Sequence, residues 1–215
     1  MPPRYSPVAQ LAAITLGSLA VIWVSLRLAS PPSARDLAGV AVFLVLGNAL
    51  EWHLHRDLLH RRTRPLQILY VRHTPQHHAL YVPDDLAIHG PRELRFVLLP
   101  AYAVFLLLAV AAPIPIALAW IGERNLALFF VATAAAYLLA YEWLHLVWHL
   151  PAESAVGRLA VVRRLRRHHA LHHTPQLKSR WNFNVTFPLW DLVRGTYWRP
   201  ARATAHPALA RRAAP

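Results

Sequence analysis

Cysteine is absent from the 215 residues, which removes disulfide-stapled folds and thiolate chemistry together. Charge is sparse, at 15% of the chain, and acid is sparser: 10 Asp and Glu stand against 23 Lys and Arg, for a formal charge of +13. Lys178 is the single lysine, a bias we read as the codon usage of a GC-rich bacterium. Apolar residues fill 56% of the chain, with a mean hydropathy of +0.29. That is too apolar for an ordinary soluble domain and excludes a disordered one. A hydrophobic chain with a basic surplus points to a membrane protein ahead of a nucleic-acid binder, and zinc-finger spacing, RNA-recognition signatures and a helix-turn-helix are all missing.

Four apolar runs set the expected fold: an all-α integral membrane protein with spans at about 8–28, 37–59, 96–120 and 126–149. Roughly 20 apolar residues cross a bilayer as helix, so the first and third runs span unaided. The second and fourth reach the required length by continuing into His-bearing stretches. Pro113 and Pro115 should kink or split the third. The first is read as a retained helix, because Arg27 and Leu28 stand where a signal peptide would carry small residues for cleavage.

Arginine sets the orientation. Seven lie between Arg56 and Arg95, and eleven, with Lys178, between Arg158 and Arg212. Both segments are expected in the cytoplasm, joined by a hairpin of the third and fourth spans that turns outside near Gly122, Glu123 and Arg124. Both termini then face the cytoplasm, and a bacterial inner membrane is the expected location. The cytoplasmic cap comprises 56–95 and 151–198, with a loose tail at 199–215, in one single-domain chain. Arg163, Arg164, Arg166 and Arg167 suit a face that meets anionic headgroups.

Histidine is abundant, with 14 in the chain, and ten fall into four groups: His55 and His60; His73, His77 and His78; His145 and His149; His169, His172 and His173. On a helix, residues at i and i+4 share a face. His73 with His77, His145 with His149, and His169 with His173 can therefore each offer two imidazoles to one ion. The adjacent His78 or His172 lies about 100° further round, so one segment can serve two ions. His55 and His60, five apart, suit a single ion less well on a regular helix. They either bridge a helix end or address different ions. A solitary His near a membrane surface is commonly just a satisfied polar residue, but ten on one side of a topology are economically explained by metal, which takes them neutral. His53 reads as interfacial, His168 as a solvated neighbour of the arginine run, and His206 as part of the loose tail. His89 stays a possible site residue.

Glu51 and Glu142 precede His55 and His145 by four and three residues, so each can accept a ligand's second ring N–H and fix its tautomer. The other reading is a carboxylate that reaches water or an arginine. His73-Thr-Pro-Gln76 and His173-Thr-Pro-Gln176 repeat four letters, a slender hint of duplication.

From Glu51 through Thr196 the chain resembles the fatty acid hydroxylase and sterol desaturase superfamily of integral-membrane, non-haem di-iron oxygenases. Glu51-Trp-His-Leu-His55-Arg56-Asp57-Leu-Leu-His60 looks like its first box, His73-Thr-Pro-Gln-His77-His78 like its second, His145-Leu-Val-Trp-His149 like its third, and His169-Ala-Leu-His172-His173 like its last. Asn182-Phe183, Pro188-Leu189-Trp190-Asp191 and Gly195-Thr196 are similar to its closing signature. The resemblance implies two iron ions held by the ten histidines, dioxygen as co-substrate, and oxidation of an unactivated C–H bond of a membrane lipid or fatty acyl chain. It also implies lesser roles behind the metal for Asn182 and Asp191. Iron belongs to the resemblance; imidazole alone also suits zinc, copper or nickel. Leu150 departs from the fatty acyl 2-hydroxylase branch, which tends to carry another His there. His89-Gly-Pro-Arg-Glu93 is loosely similar to the sterol desaturases' His-Pro-x-Glu. Nothing resembles a fused cytochrome b5 domain, so a separate ferredoxin, cytochrome or reductase is expected to supply electrons.

Hydroxylation of a lipid, or desaturation, is therefore the expected function. Two rivals come from other classes: a haem electron-transfer protein, which needs His pairs inside facing spans, and a membrane metal carrier, which needs ligands along a path through several spans. The first and third spans contain neither His nor carboxylate.

Overall fold

A computed structural model describes residues 5–199, and within them the chain is helical, with one isolated bridge between Val82 and Asp85 as its only extended pairing. The helix α1 (Pro7–Leu28) starts where Ser6 accepts the Ala9 amide and Pro7 occupies the first turn, which needs no N–H. Ser33 and Asp36 close a reciprocal capping box at the head of α2 (Ala34–Leu54). A short run follows, α3 (Gln67–Val71) and α4 (His78–Leu80), joined by a widened turn. Then come α5 (Leu94–Val97), α6 (Ala101–Ala111), α7 (Pro113–Trp120), α8 (Arg124–Trp148), α9 (Ala160–His172) and α10 (Leu189–Arg194).

Among the described residues, four helical stretches are long and apolar enough to cross a membrane: Pro7–Leu28, Ala34–Leu59, Pro91–Trp120 and Arg124–Trp148. The protein is an integral membrane protein on that composition. The third stretch is broken twice: at Pro113, where the sequence suggests a kink or split, and also at Pro100, inside the run expected to begin at Phe96. Leu98 is extended ahead of Pro100, which separates α5 from α6, and Pro113 lacks the N–H that would carry α6 on into α7.

The last span, α8, is the hub: α1, α2, α6 and α7 all pack against it. Small residues admit the closest approaches, as is usual where helices associate in lipid. A Cβ on Gly39 of α2 would lie 2.3 Å from Leu126 Cδ1, and one on Gly17 of α1 would lie 2.3 Å from Phe105 Cζ. Outward residues such as Leu16, Trp23, Leu46, Val110 and Trp120 are exposed, as lipid-facing positions should be. Two apolar cores tie the spans to the histidine cap. Ile14, Leu94, Leu98, Val104 and Leu146 join α1, α5, α6 and α8, and Trp148, Val162 and Val185 join α8, α9 and the segment before α10. Outside the spans, burying an aliphatic side chain such as Val162 or Val185 contributes roughly 1.5–3 kcal/mol. The cap thus has its own anchorage at the end of the bundle.

Candidate metal centre

Two π-turns decide which histidines meet. At the end of α2 the backbone widens over His55–Leu59, and the His60 amide reaches back five residues to the His55 carbonyl at 3.1 Å. Such a bond brings residues five apart onto one face. His55 and His60 accordingly point together, their Nε2 atoms 3.2 Å apart. The same device recurs over Arg72–His77, where the His78 amide bonds the His73 carbonyl and the two Nε2 atoms lie 3.1 Å apart. Pro75 sits inside that turn, and its missing N–H prevents a regular one. The expected pairing of His73 with His77 is therefore corrected. His73 goes with His78, and His77 turns to a second group.

The two groups draw on different ends of the fold. His55, His60, His73, His78 and His172 form the first, and His77, His149, His169 and His173 the second; within each, the donor nitrogens lie within 4.8 Å of one another, and all nine residues are buried. On α9 the i, i+4 pair His169 and His173 stays together, Nε2 to Nε2 at 3.0 Å, while His172 swings into the first group. The groups adjoin where the His78 and His173 ring centres lie 4.1 Å apart, tilted by 30°. His145, expected to share an ion with His149, adjoins the second group, its ring 4.9 Å from His77 and 5.1 Å from His149.

Backbone carbonyls fix the tautomers. A carbonyl only accepts, so each imidazole bonded to one through Nδ1 must carry its proton there. His55 donates to Phe183, His77 to Phe96 (3.0 Å), His149 to Leu86 (2.7 Å), His172 to Trp181 (3.0 Å) and His173 to Tyr81 (2.6 Å). Thr74 Oγ1 gives its proton to the Leu59 carbonyl at 2.7 Å, so His60 Nδ1 donates to that hydroxyl. In these six rings Nε2 is a bare lone pair aimed at its neighbours. His60 and His172 face each other through Nε2 at 2.9 Å, which is repulsive as it stands. Such nitrogens become mutually compatible around a cation. At a metal–imidazole distance of roughly 2.1 Å, two ligands at a right angle have nitrogens roughly 3.0 Å apart. The Nε2 atoms of His77 and His145 are buried without any hydrogen-bond partner, which fits the same reading. The donor set could hold metal ions, and its division suits two.

Burial, reinforced by neighbouring imidazoles, holds His60, His73, His77, His78, His149, His169 and His172 well below the ordinary 6.5, and His173 down to about 3. All are neutral at pH 7 and ready to ligate. Below pH 6.5 the unfolded chain takes up protons that the folded cap refuses, so the stability of the metal-free fold is intact above that pH and falls as acid is added. We expect the thermal midpoint of metal-free protein in detergent to be level from pH 8 to 7 and to drop steeply by pH 5.5. A level profile down to pH 5 would show that the rings are hydrated.

Neither acid meets a histidine. Glu51 is buried and accepts the Val185 amide, the Thr186 amide at 3.1 Å, the Thr186 hydroxyl at 2.6 Å and the Tyr137 hydroxyl. Glu142 accepts the Leu99 amide at 2.9 Å, and its other oxygen is buried without a partner. The expectation that they orient ligands, or reach water or arginine, is corrected: the carbonyls already occupy that position, and Glu51 instead clamps the segment that supplies two of them.

Asp191 and Asn182 hold the same segment. Asp191 accepts from Trp52 Nε1 (3.1 Å), Phe183 N (3.0 Å), Asn184 N (2.8 Å) and Thr196 Oγ1 (2.7 Å). Asn182, at φ +60°, donates to the His168 carbonyl and accepts from the Trp198 amide. Asn48, Tyr137, Asn184 and Thr186 belong to this network and had no signal in sequence, although Asn48 donates to Thr186 Oγ1 and the Phe187 carbonyl and accepts the Trp190 amide. His168 is buried, not solvated, with its ring 3.4 Å from Asp191 and stacked on Tyr197. His89 is exposed and pairs with Asp85 at 3.0 Å, outside both groups. His53 is half-exposed beside Asp57. His206 and tail residues 200–215 lie outside the described residues. The repeated His-Thr-Pro-Gln adopts a π-turn at its first occurrence and an irregular turn after α9 at its second, so the shared letters do not mark a shared local structure.

A family model described as fatty acid hydroxylase matches residues 40–196, well over half of the chain and all ten clustered histidines. No curated protein and no solved structure matches.

Proposed function

We propose, from the premise that this chain belongs to the fatty acid hydroxylase family, that it hydroxylates a lipid or fatty acyl chain, with desaturation as the alternative outcome at the same site. The observation that carries the reading is the pair of buried histidine groups whose unprotonated nitrogens converge. Iron, if bound there as two ions, would activate dioxygen as the oxidant, with overall balance RH + O2 + 2 e− + 2 H+ → ROH + H2O. His55, His60, His73, His78 and His172 hold one ion, and His77, His149, His169 and His173, with His145 beside them, hold the other. The carbonyls of Phe183, Trp181, Leu86, Phe96 and Tyr81 orient the rings, and the packing of Trp52, Trp148, Tyr81 and Phe183 keeps bulk water out.

Apolar side chains exposed outside the spans, among them Leu80, Val82, Phe187, Leu192 and Val193, support a cap seated on the bilayer, where a lipid enters sideways without crossing water. Cells or vesicles supplied with labelled oxygen gas should yield a lipid product carrying one labelled atom for hydroxylation, absent when the gene is deleted. Label arriving from water instead would make the site hydrolytic and overturn the reading.

The cap faces the cytoplasm of a bacterial inner membrane in this proposal, because both arginine-rich segments share its side. Reporters fused at Pro215 and inserted near Glu123 should report opposite sides. Finding both on one side would overturn this topology.

A further inference from the structure

Each hydroxylation consumes two electrons that neither lipid nor oxygen provides, so a carrier must reach the cap. A cavity beside the end of α2 opens to solvent on the cap. Arg56, Arg61, Arg180 and Arg194 rim this cavity of about 240 Å3, which reaches Trp52, Phe183 and Thr196. Arg61, Arg180 and Arg194 are exposed, and Arg56 is partly so. The Arg56 guanidinium lies over the Trp52 ring at 4.4 Å and that of Arg194 at 5.4 Å. Asp57 pairs with Arg56 (2.8 Å) and Arg61 (3.4 Å), which orients both and leaves the rim with a cationic surplus.

Beneath the rim the indole is fixed, because its N–H is held by Asp191 and Thr196. Trp52 meets Phe183 with ring centres 5.6 Å apart. Phe183 in turn lies 6.0 Å from His55, 6.0 Å from His60 and 5.9 Å from His172. A relay of aromatic rings thus joins a cationic surface cavity to the first histidine group. Phe183 is 1% exposed, so the passage is closed to water and to lipid and is suited to an electron.

Resting on the hydroxylase reading, we propose that Arg56, Arg61, Arg180 and Arg194 form the docking face for an acidic one-electron carrier protein, and that Trp52 and Phe183 bridge its electrons to the first histidine group. Each encounter oxidises one carrier by one electron, two encounters serve one turnover, and the protons come from water. The rings bridge the gap and are not themselves oxidised. A weak encounter fits such a carrier: electron-transfer interfaces are small, steered by charge and sensitive to salt.

The test uses metal-loaded protein in discs of zwitterionic lipid and a reduced acidic [2Fe–2S] ferredoxin as probe. R61E/R180E should weaken ferredoxin binding about tenfold or more, whereas R163E/R164E, with the same change in net charge on exposed positions of α9, should alter it less than threefold. Phe183→Leu should bind as wild type but slow the anaerobic reoxidation of ferredoxin, seen as its returning absorbance, while dithionite reduces variant and wild type equally. Ferredoxin that fails to bind the wild type, equal weakening in both double variants, or unaltered reoxidation in Phe183→Leu would each overturn the proposal. Loss of binding to phosphatidylglycerol vesicles with ferredoxin binding kept would overturn it in favour of a headgroup site. Ferredoxin that binds as expected while no lipid is oxidised, even with dithionite, would uphold the docking face and overturn the hydroxylase reading.

Discussion

Replacing His172 with Ala should remove one metal ion per chain, and replacing His169 should remove the other, although only two residues separate them on α9. His172 Nε2 meets His60 at 2.9 Å in the first group, and His169 Nε2 meets His149 at 3.1 Å and His173 at 3.0 Å in the second. Purified wild type should carry close to two ions and each variant close to one. Lipid oxidation should fall by more than the roughly 10- to 100-fold typical of losing an outer partner, because a ligand itself is gone. Helical content measured by circular dichroism should be unchanged, since the apolar contacts of α9 run through Val162. Two ions retained in either variant would refute ligation, and both ions lost from either one, with the fold intact, would show that the ten imidazoles make a single site.

Asp191→Ala should be the most damaging change outside the histidines. It strands three donors, the Phe183 and Asn184 amides and the Thr196 hydroxyl, each costing about 1–3 kcal/mol when left unpaired, and leaves Trp52 Nε1 with Thr196 alone. Taking the low end of that range for the three gives about 3 kcal/mol. The loss falls on the segment whose Trp181 and Phe183 carbonyls hold His172 and His55, so the first group should release its metal before the second. Glu142→Gln, by contrast, keeps an acceptor for the Leu99 amide and touches no histidine; its metal content should stay within twofold of wild type. Metal analysis of the two variants side by side separates the possibilities. A metal loss in Glu142→Gln matching that of Asp191→Ala would restore the orienting carboxylate that the sequence suggests.

The spans and the histidine clustering were legible because both rest on residue type: hydrocarbon length for the helices, imidazole count for the site. What escaped was carried by backbone. The π-turn at His55 has no proline to announce it, and only the spacing of His55 and His60 hinted that a regular helix served them poorly. The turn at His73 did carry a mark, Pro75, whose missing N–H makes a regular i, i+4 pairing of His73 with His77 untenable. The orienting partners were missed for a related reason. A carbonyl of Phe183 or Leu86 leaves no trace in a side-chain pattern, whereas a glutamate one turn from a histidine invites the wrong assignment. His168 was misplaced because it follows four arginines in near succession, and a charge run says nothing about the one face of α9 that turns inward to Asp191.

The position of α8 as hub also governs how the molecule can be made. Synthesis proceeds from the amino terminus, so α1, α2, α6 and α7 enter the bilayer before the helix that all of them pack against. Until α8 arrives, Gly39 offers a cleft to lipid, and Ile14 and Val104 lack Leu146 as a neighbour. The segment that orients His55 and His172 emerges later still and is fastened only when Asp191 has left the ribosome. Early spans must therefore wait as loosely associated helices, and both histidine groups are complete only once α9 has emerged.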